Sequence, residues 1–294
     1  MGRRWVTWNV RRLGKSTKRE VTKLILNRSR LELVMIQESK LGLEREETVN
    51  RWARSLNMEY EFVPSEGASG GIITLWKGSG LNLWRVEKHP RFLVTVFQIL
   101  PEDACCLVIN VYEPNNERDK GSFFTDLGVV LDAHVGAYII RGDFNATLND
   151  GERKETGSNL EGDANFKQFV ENHTLVDLPM VGGEYTWHST RNGGLWSKID
   201  RWVMNDNMIQ LLNVVSQRLE AWDTSDHRAV TLSWGTRDFG SKLFRFYNHW
   251  LAEEDFTKMV EEWWGVKNCG RMVWLHNPAK TKRSTGKDSK LEQE

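Results

Sequence analysis

Six short, mostly apolar runs in this sequence carry or lead into side chains that are costly to bury, and that recurrence constrains the fold more than any other feature. Trp5-Val6-Thr7-Trp8 arrives at Asn9, and Leu33-Val34-Met35-Ile36 at Gln37-Glu38. Cys106 to Val111 delivers Tyr112 with Asn115, and Tyr138-Ile139-Ile140 leads through Arg141-Gly142 to Asp143-Phe144-Asn145. Asp200 lies inside Lys198-Ile199-Asp200-Arg201-Trp202, and Asp226-His227 stands just ahead of the run Ala229 to Trp234. Each run has strand length, and polar groups at such ends are expensive to bury unless they are paired or used. Period-two alternation puts Asp143 and Asn145 on one side of an extended chain, with Phe144 on the other. A carboxylate able to take a proton from water, beside an amide able to orient a phosphate oxygen, suits phosphodiester hydrolysis. Taken singly, the residues are ordinary. Gly-Asp after a strand is a turn signal, Glu38 a surface acid, Asn9 a strand-end amide and Tyr112 a core or rim residue.

Helical stripes lie between these runs. Val21, Leu24 and Ile25 carry Lys and Arg on the opposite face. Val49, Trp52, Ala53 and Leu56 follow the i, i+3, i+4, i+7 spacing of an amphipathic helix. Phe124, Leu127 and Leu131 predict a further helix, as do Phe166, Phe169 and Val170. The stretch from Leu81 to Val111 reads as two or three strands with turns near His89-Pro90 and Pro101-Glu102-Asp103. Many neighbouring elements are strand–strand, which favours mixed sheets over a purely parallel one. No internal repeat is present.

The 294 residues suffice for a substantial core, and the formal net charge is +0. The charge is unevenly spread. Before Leu31 the basic residues Arg3, Arg4, Arg11, Arg12, Lys15, Lys18, Arg19, Lys23, Arg28 and Arg30 face a single acid, Glu20. Such a cluster can neutralise phosphates, or be a solvated helix face. Cys105 and Cys106, adjacent in an apolar run, read as core residues, which suits a reducing compartment. No apolar stretch approaches the ~20 residues of a membrane span, and no signal-peptide core opens the chain.

Taken in order, Thr7-Trp8-Asn9-Val10, Ile36-Gln37-Glu38, Ser69-Gly70-Gly71-Ile72, Asn110-Val111-Tyr112, Pro114-Asn115, Gly142-Asp143-Phe144-Asn145, Ile199-Asp200-Arg201 and Ser225-Asp226-His227 resemble the motifs of the endonuclease/exonuclease/phosphatase superfamily. The set is similar to the endonuclease domain of plant non-LTR (LINE-type) retrotransposons. The resemblance implies an α/β, DNase I-like fold: a four-layer sandwich of two mixed β-sheets flanked by helices, with the active site at the sheet edges. It implies nicking of DNA with Mg2+ as cofactor and Mn2+ as the alternative. By position, Glu38 would be the principal metal carboxylate, Asn9 would support the metal environment, and Asp226 would add a second oxygen. Asp143 would orient or deprotonate the attacking water, with Asn145, Tyr112 and His227 on the phosphate. Asp200 would pair with the imidazole of His227. Asn115, Trp187 and Arg11 would contact substrate. Arg11 stands where the abasic-site endonucleases carry an additional metal-site acid. Glu113 and Arg141 place charges where the family has small residues.

Residues 1–235 are expected to form this domain. Residues 236–265 resemble the segment that joins it to a reverse transcriptase, and 266–294 read as a basic, disordered tail. No polymerase domain follows in this sequence. The expected partner is DNA, with no membrane, and a DNA substrate implies the nucleus, with the cytoplasm as the alternative and secretion not expected. Two other readings stay open: a phosphatase acting on small phosphate esters, and an inactive retroelement remnant that binds nucleic acid or protein.

Overall fold

A computed structural model describes residues 3–234 except 28–30, 68, 114–116, 155–159, 190–193, 214–215 and 222–223, together with Lys258. The expectations for the linker-like segment, the tail and Asn115 fall outside the described residues.

Two sheets face each other. The seven-stranded sheet runs, in spatial order, Met180–Val181, Ser216–Leu219, Val230–Trp234, Arg3–Asn9, Leu33–Gln37, Ser69–Trp76 and Glu59–Glu66. The six-stranded sheet runs Val176–Asp177, Asp200–Met204, Ala137–Asp143, Ala104–Tyr112, Phe92–Ile99 and Leu81–His89. Arg3–Asn9 is parallel to Leu33–Gln37, and Ala104–Tyr112 to Ala137–Asp143; most other pairings are antiparallel. Helices Ser16–Asn27 and Glu46–Ser55 cover one sheet, through Leu26, Val49, Trp52 and Ala53 against Val6, Trp8, Val34 and Ile36. Helices Glu117–Asp132 and Leu160–Asn172 cover the other, through Phe123, Leu127, Phe166 and Phe169 against Ile109, Ile140 and Val203. The expected four-layer sandwich of mixed sheets is the observed architecture.

Strand periodicity explains where the polar ends go. Alternate residues point to the helices or to the space between the sheets. The inward-facing series are Trp5-Thr7-Asn9, Leu33-Met35-Gln37, Cys106-Val108-Asn110-Tyr112 and Ala137-Ile139-Arg141-Asp143. Each starts apolar, inside the inter-sheet core, and becomes polar towards one end of the sandwich. Asp200–Met204 runs the opposite way, so its first residue, Asp200, pairs with Asp143, the last of its neighbour. Polar side chains stitch the two sheets together at that end. Gln37 Nε2 donates to Asn110 Oδ1 (2.6 Å) across the gap, and Asn110 Nδ2 donates to the Ile73 carbonyl (3.1 Å) and Thr74 Oγ1 (3.2 Å).

The sequence expectations need two adjustments here, and the expected two or three strands between Leu81 and Val111 are resolved as three. Cys106 is buried but Cys105 is exposed, because adjacent strand residues face opposite ways. Ser216–Leu219 and the short helix Asp206–Leu212 were not anticipated, and the first is held by its pairing to Val230–Trp234.

Candidate active site

The polar strand ends converge on one buried cluster. His227 is 2% exposed and Asp143 1% exposed. His227 Nδ1 lies 2.9 Å from Asp200 Oδ2, and its Nε2 lies 3.8 Å from Asp143 Oδ2. Asn9 Nδ2 donates both to Asp143 Oδ2 (2.9 Å) and to Glu38 Oε1 (3.1 Å), so one amide holds the two carboxylates together. Ligand atoms of Glu38, Asp143 and His227 all lie within 4.8 Å of one another.

The backbone around these residues is built for the purpose. Glu38, Lys40, Arg11 and Asn145 have left-handed φ values of 48°, 53°, 61° and 44°, an uncommon conformation for residues other than glycine. Glu38 is held in this turn by its neighbours, as Ser39 N donates to the Gly71 carbonyl (2.9 Å) and Lys40 N to that of Gly70 (3.1 Å). Gly71 is needed for that approach, since a Cβ there would sit 2.3 Å from Ser39 Oγ and 3.0 Å from Lys40 N. Asn145 reaches the Asp143 side by a left-handed turn after the strand ends, and not by the extended alternation expected. Its amide N donates to Asp143 Oδ1 (2.9 Å), and its side chain to the Glu113 carbonyl (2.9 Å). The loop bearing His227 is fastened by Ser225 Oγ donating to the Asn9 carbonyl (2.7 Å), Trp8 Nε1 to the His227 carbonyl (3.0 Å), and a β-bridge from His227 to Trp187.

Electrostatics follow from this packing. Burial disfavours the charged form of His227, but the carboxylates of Asp200 and Asp143 outweigh it and raise its pKa to about 9. A protonated imidazole carries an N–H on each nitrogen, so Nδ1 can bond Asp200 while Nε2 faces Asp143. Burial, opposed by His227, raises the Asp143 carboxyl to about 7. Glu38 is pushed up by burial but held below its ordinary value by Asn9, Arg11 and Lys40. Burial and the nearby Glu38 and Asp143 carboxylates push the Tyr112 hydroxyl well up, so it stays a donor.

A cavity of about 300 Å3 opens onto this cluster, lined by Arg11, Glu38, Asp143, Asn145, Arg153, Trp187, Ser197, Ile199 and His227. Trp187 is half-buried there, its ring centroid 6.3 Å from that of His227. Tyr112 directs its hydroxyl at Glu38. Asp226, expected to add a second oxygen near the metal, is not among the clustered ligand atoms. Its carboxylate takes Arg11 Nε at 3.1 and 3.0 Å and Trp187 Nε1 at 3.3 Å. Arg11, expected on substrate, spans Asp226 and Glu38 Oε1 (3.2 Å) instead.

The sequence reading missed Arg153, which lines the cavity from the two-residue strand Arg153–Lys154, a polar stretch too short to carry a periodic signal. It also missed the buried ion network that fixes that stretch. Arg201, fully buried, donates to Glu152 Oε2 (2.8 Å) and Asp177 Oδ2 (3.0 Å), and Lys198 Nζ meets the same two acids. Glu113 is fully buried, its N–H on the Asp143 carbonyl (2.9 Å). Arg141 is fully buried too, its Cζ 5.4 Å from the Trp202 ring centroid and its guanidinium without hydrogen-bond partners among the described residues. Burial, against the attraction of Asp200 and Asp143, lowers its pKa to about 9.

Residues 6–227 match the model of the Endonuclease/Exonuclease/phosphatase family. The chain belongs to this family. The Transposon TX1 uncharacterized 149 kDa protein of Xenopus laevis is 26% identical over 166 residues, which make up 53% of this chain and 12% of that protein. This chain thus matches only a small part of that relative. Among solved structures, the 3′ phosphatase NExo from Neisseria, bound to a product DNA hairpin, superposes with a TM-score of 0.64 at 17% identity, covering 80% of this chain and 100% of that one. The endonuclease domain of TRAS1, a telomere-specific non-LTR retrotransposon, gives 0.59 at 15% identity, covering 80% and 98%. At such identities these two structures show the fold. Among the described residues no helix is long and apolar enough to cross a membrane.

Proposed function

We propose that this member of the family is a DNA endonuclease of the retroelement type, dependent on Mg2+ or alternatively Mn2+, that nicks one strand and leaves a 3′-hydroxyl. The observation that carries the reading is the buried Glu38–Asp143–His227 cluster backed by Asp200. Its donor set fits a hard divalent cation: two carboxylates at the mouth of a polar cavity, with room for water and a phosphate oxygen. Glu38 would hold the ion with Asp143 in reach. When bound, the ion supplies charge that polarises the phosphoryl oxygen and steadies the leaving alkoxide.

The chain's own groups do the rest. Asp143, its carboxyl made more basic by burial, accepts the proton of the attacking water as the new O–P bond forms and the P–O3′ bond breaks. Asn9 keeps Asp143 and Glu38 at fixed separation. His227, kept protonated by Asp200, donates to the phosphate as negative charge accumulates on it. Asn145 and Arg153 flank that phosphate, and Trp187 presents an aromatic face to an adjacent base or sugar. Relatives named for a transposon and for a bound DNA hairpin support DNA as the substrate. A DNA substrate in turn would put the place of action in the nucleus.

Incubation of the purified chain with supercoiled plasmid tests this. With Mg2+ the plasmid relaxes to a nicked circle that DNA ligase reseals, and EDTA prevents it. Persistent supercoils, or faster turnover of a small phosphate monoester than of plasmid, would reject the endonuclease reading.

A further inference from the structure

Glu38 is 3% exposed, yet both its oxygens are covered by cations reaching in from the solvent side. Arg11 Nη1 lies 3.2 Å from Oε1, and Lys40 Nζ lies 3.2 Å from Oε2. The Arg11 side chain is 46% exposed, and its guanidinium is braced by the Asp226 carboxylate, itself held by Trp187 Nε1. The turn that aims it is pinned as well, since Arg11 N donates to Asn9 Oδ1 (2.9 Å). Arginine keeps its proton at any working pH, so this cover can leave Glu38 only by moving.

We propose that Arg11 is a built-in competitor for the metal site. In the metal-free protein Arg11 and Asp226 form a latch across Glu38, and a divalent cation gains Glu38 only as the latch opens. The opened latch frees a guanidinium at the cavity wall, where it can meet a substrate phosphate. Asp226 is then the residue that braces the latch, which accounts for its place outside the ligand cluster. Arg11 sets the affinity for the ion, and the exchange couples metal loading to phosphate capture. The inference rests on the metal-dependent reading above, but its test does not need activity.

The test is direct Mn2+ binding, by calorimetry and by the loss of the free-ion paramagnetic resonance signal, in wild type, Arg11→Gln and Arg12→Gln. Arg12 is an exposed neighbour of the same charge, and no contact from it to Glu38 is seen. Removing the contacting cation tightens Mn2+ binding by roughly tenfold or more, while Arg12→Gln changes it by less than about twofold. In wild type, the Arg11 Nε–H resonance, shielded by Asp226, reverts to solvent-exposed exchange on saturation with Mg2+. An unchanged or weaker affinity in Arg11→Gln, an equal gain in Arg12→Gln, or an unmoved Nε–H signal overturns the latch. Tight wild-type binding with no gain in Arg11→Gln refutes the latch alone and leaves the metal reading standing. Absence of binding in every form refutes both.

Discussion

Replacing Asp200 by Asn removes the charge that keeps His227 protonated while preserving size and one acceptor. His227 Nδ1 sits 2.9 Å from Asp200 Oδ2, and the whole imidazole is buried. A rise from the ordinary value near 6.5 to about 9 amounts to roughly 3 kcal/mol in favour of the cation. Burial alone acts the other way, and in the variant Asp143, 3.8 Å away, still opposes it with a smaller contribution from Asp226. His227 should then titrate below about 6.5. At pH 7.5 the imidazole then passes from mostly protonated to mostly neutral. Because the folded value is raised, the stabilisation is complete below the unfolded value near 6.5 and disappears as pH rises through about 9. The stability gap between wild type and Asp200→Asn should therefore be about 3 kcal/mol at pH 6 and close towards zero above about pH 9.5. Histidine Cε1 resonances of the metal-free protein, with His227→Gln for assignment, report the titration, and urea unfolding reports the gap. A His227 that still titrates near 9 in Asp200→Asn, or a gap that ignores pH, would refute the electrostatic argument.

Two further predictions concern the scaffold. Burial raises the Glu152 carboxyl, but Arg201 and Lys198 outweigh it and hold the group down to about 2. Its side chain is 14% exposed, so Glu152→Gln should cost about 3 kcal/mol by urea unfolding at pH 7. For a depressed carboxylate that contribution is present above about 4.5 and is lost as pH falls through about 2, so the gap to wild type should shrink in acid. Gly142→Ala should destabilise the fold by about 3 kcal/mol or more, because a Cβ there would lie 1.8 Å from the Val111 carbonyl oxygen, a backbone atom with nowhere to go. Calorimetry of the thermal transition checks it, and an unchanged midpoint would show that the parallel strand pair is looser than described.

The sandwich was legible because most strands that face the inter-sheet space begin apolar and end polar in the same direction. Asn9, Glu38, Asp143, Asp200 and His227 are ordinary one by one and stood out as a recurring set of polar groups at strand ends, and they do meet. What stayed hidden depends on partners distant in sequence. Asp226 reads as one more acid in a motif, and only the folded chain shows Arg11 and Trp187 occupying it. Arg153 and the Arg201–Glu152–Asp177–Lys198 network come from short loops and two-residue strands without periodicity. Asn145 was placed on the correct side for the wrong local reason, because a left-handed residue after a strand end mimics the outcome of alternation. Ser216–Leu219 lacks an apolar run and is a strand because Val230–Trp234 offers it a free edge.

The central claim is that the carboxylate between Asn9 and His227 activates water for phosphodiester cleavage. The measurement that tests it most directly is the rate of Mg2+-dependent plasmid nicking by wild type and Asp143→Asn at pH 8. The account predicts a loss of about 10²–10⁴-fold for the variant with its thermal midpoint retained. Equal nicking rates for the two proteins would contradict it.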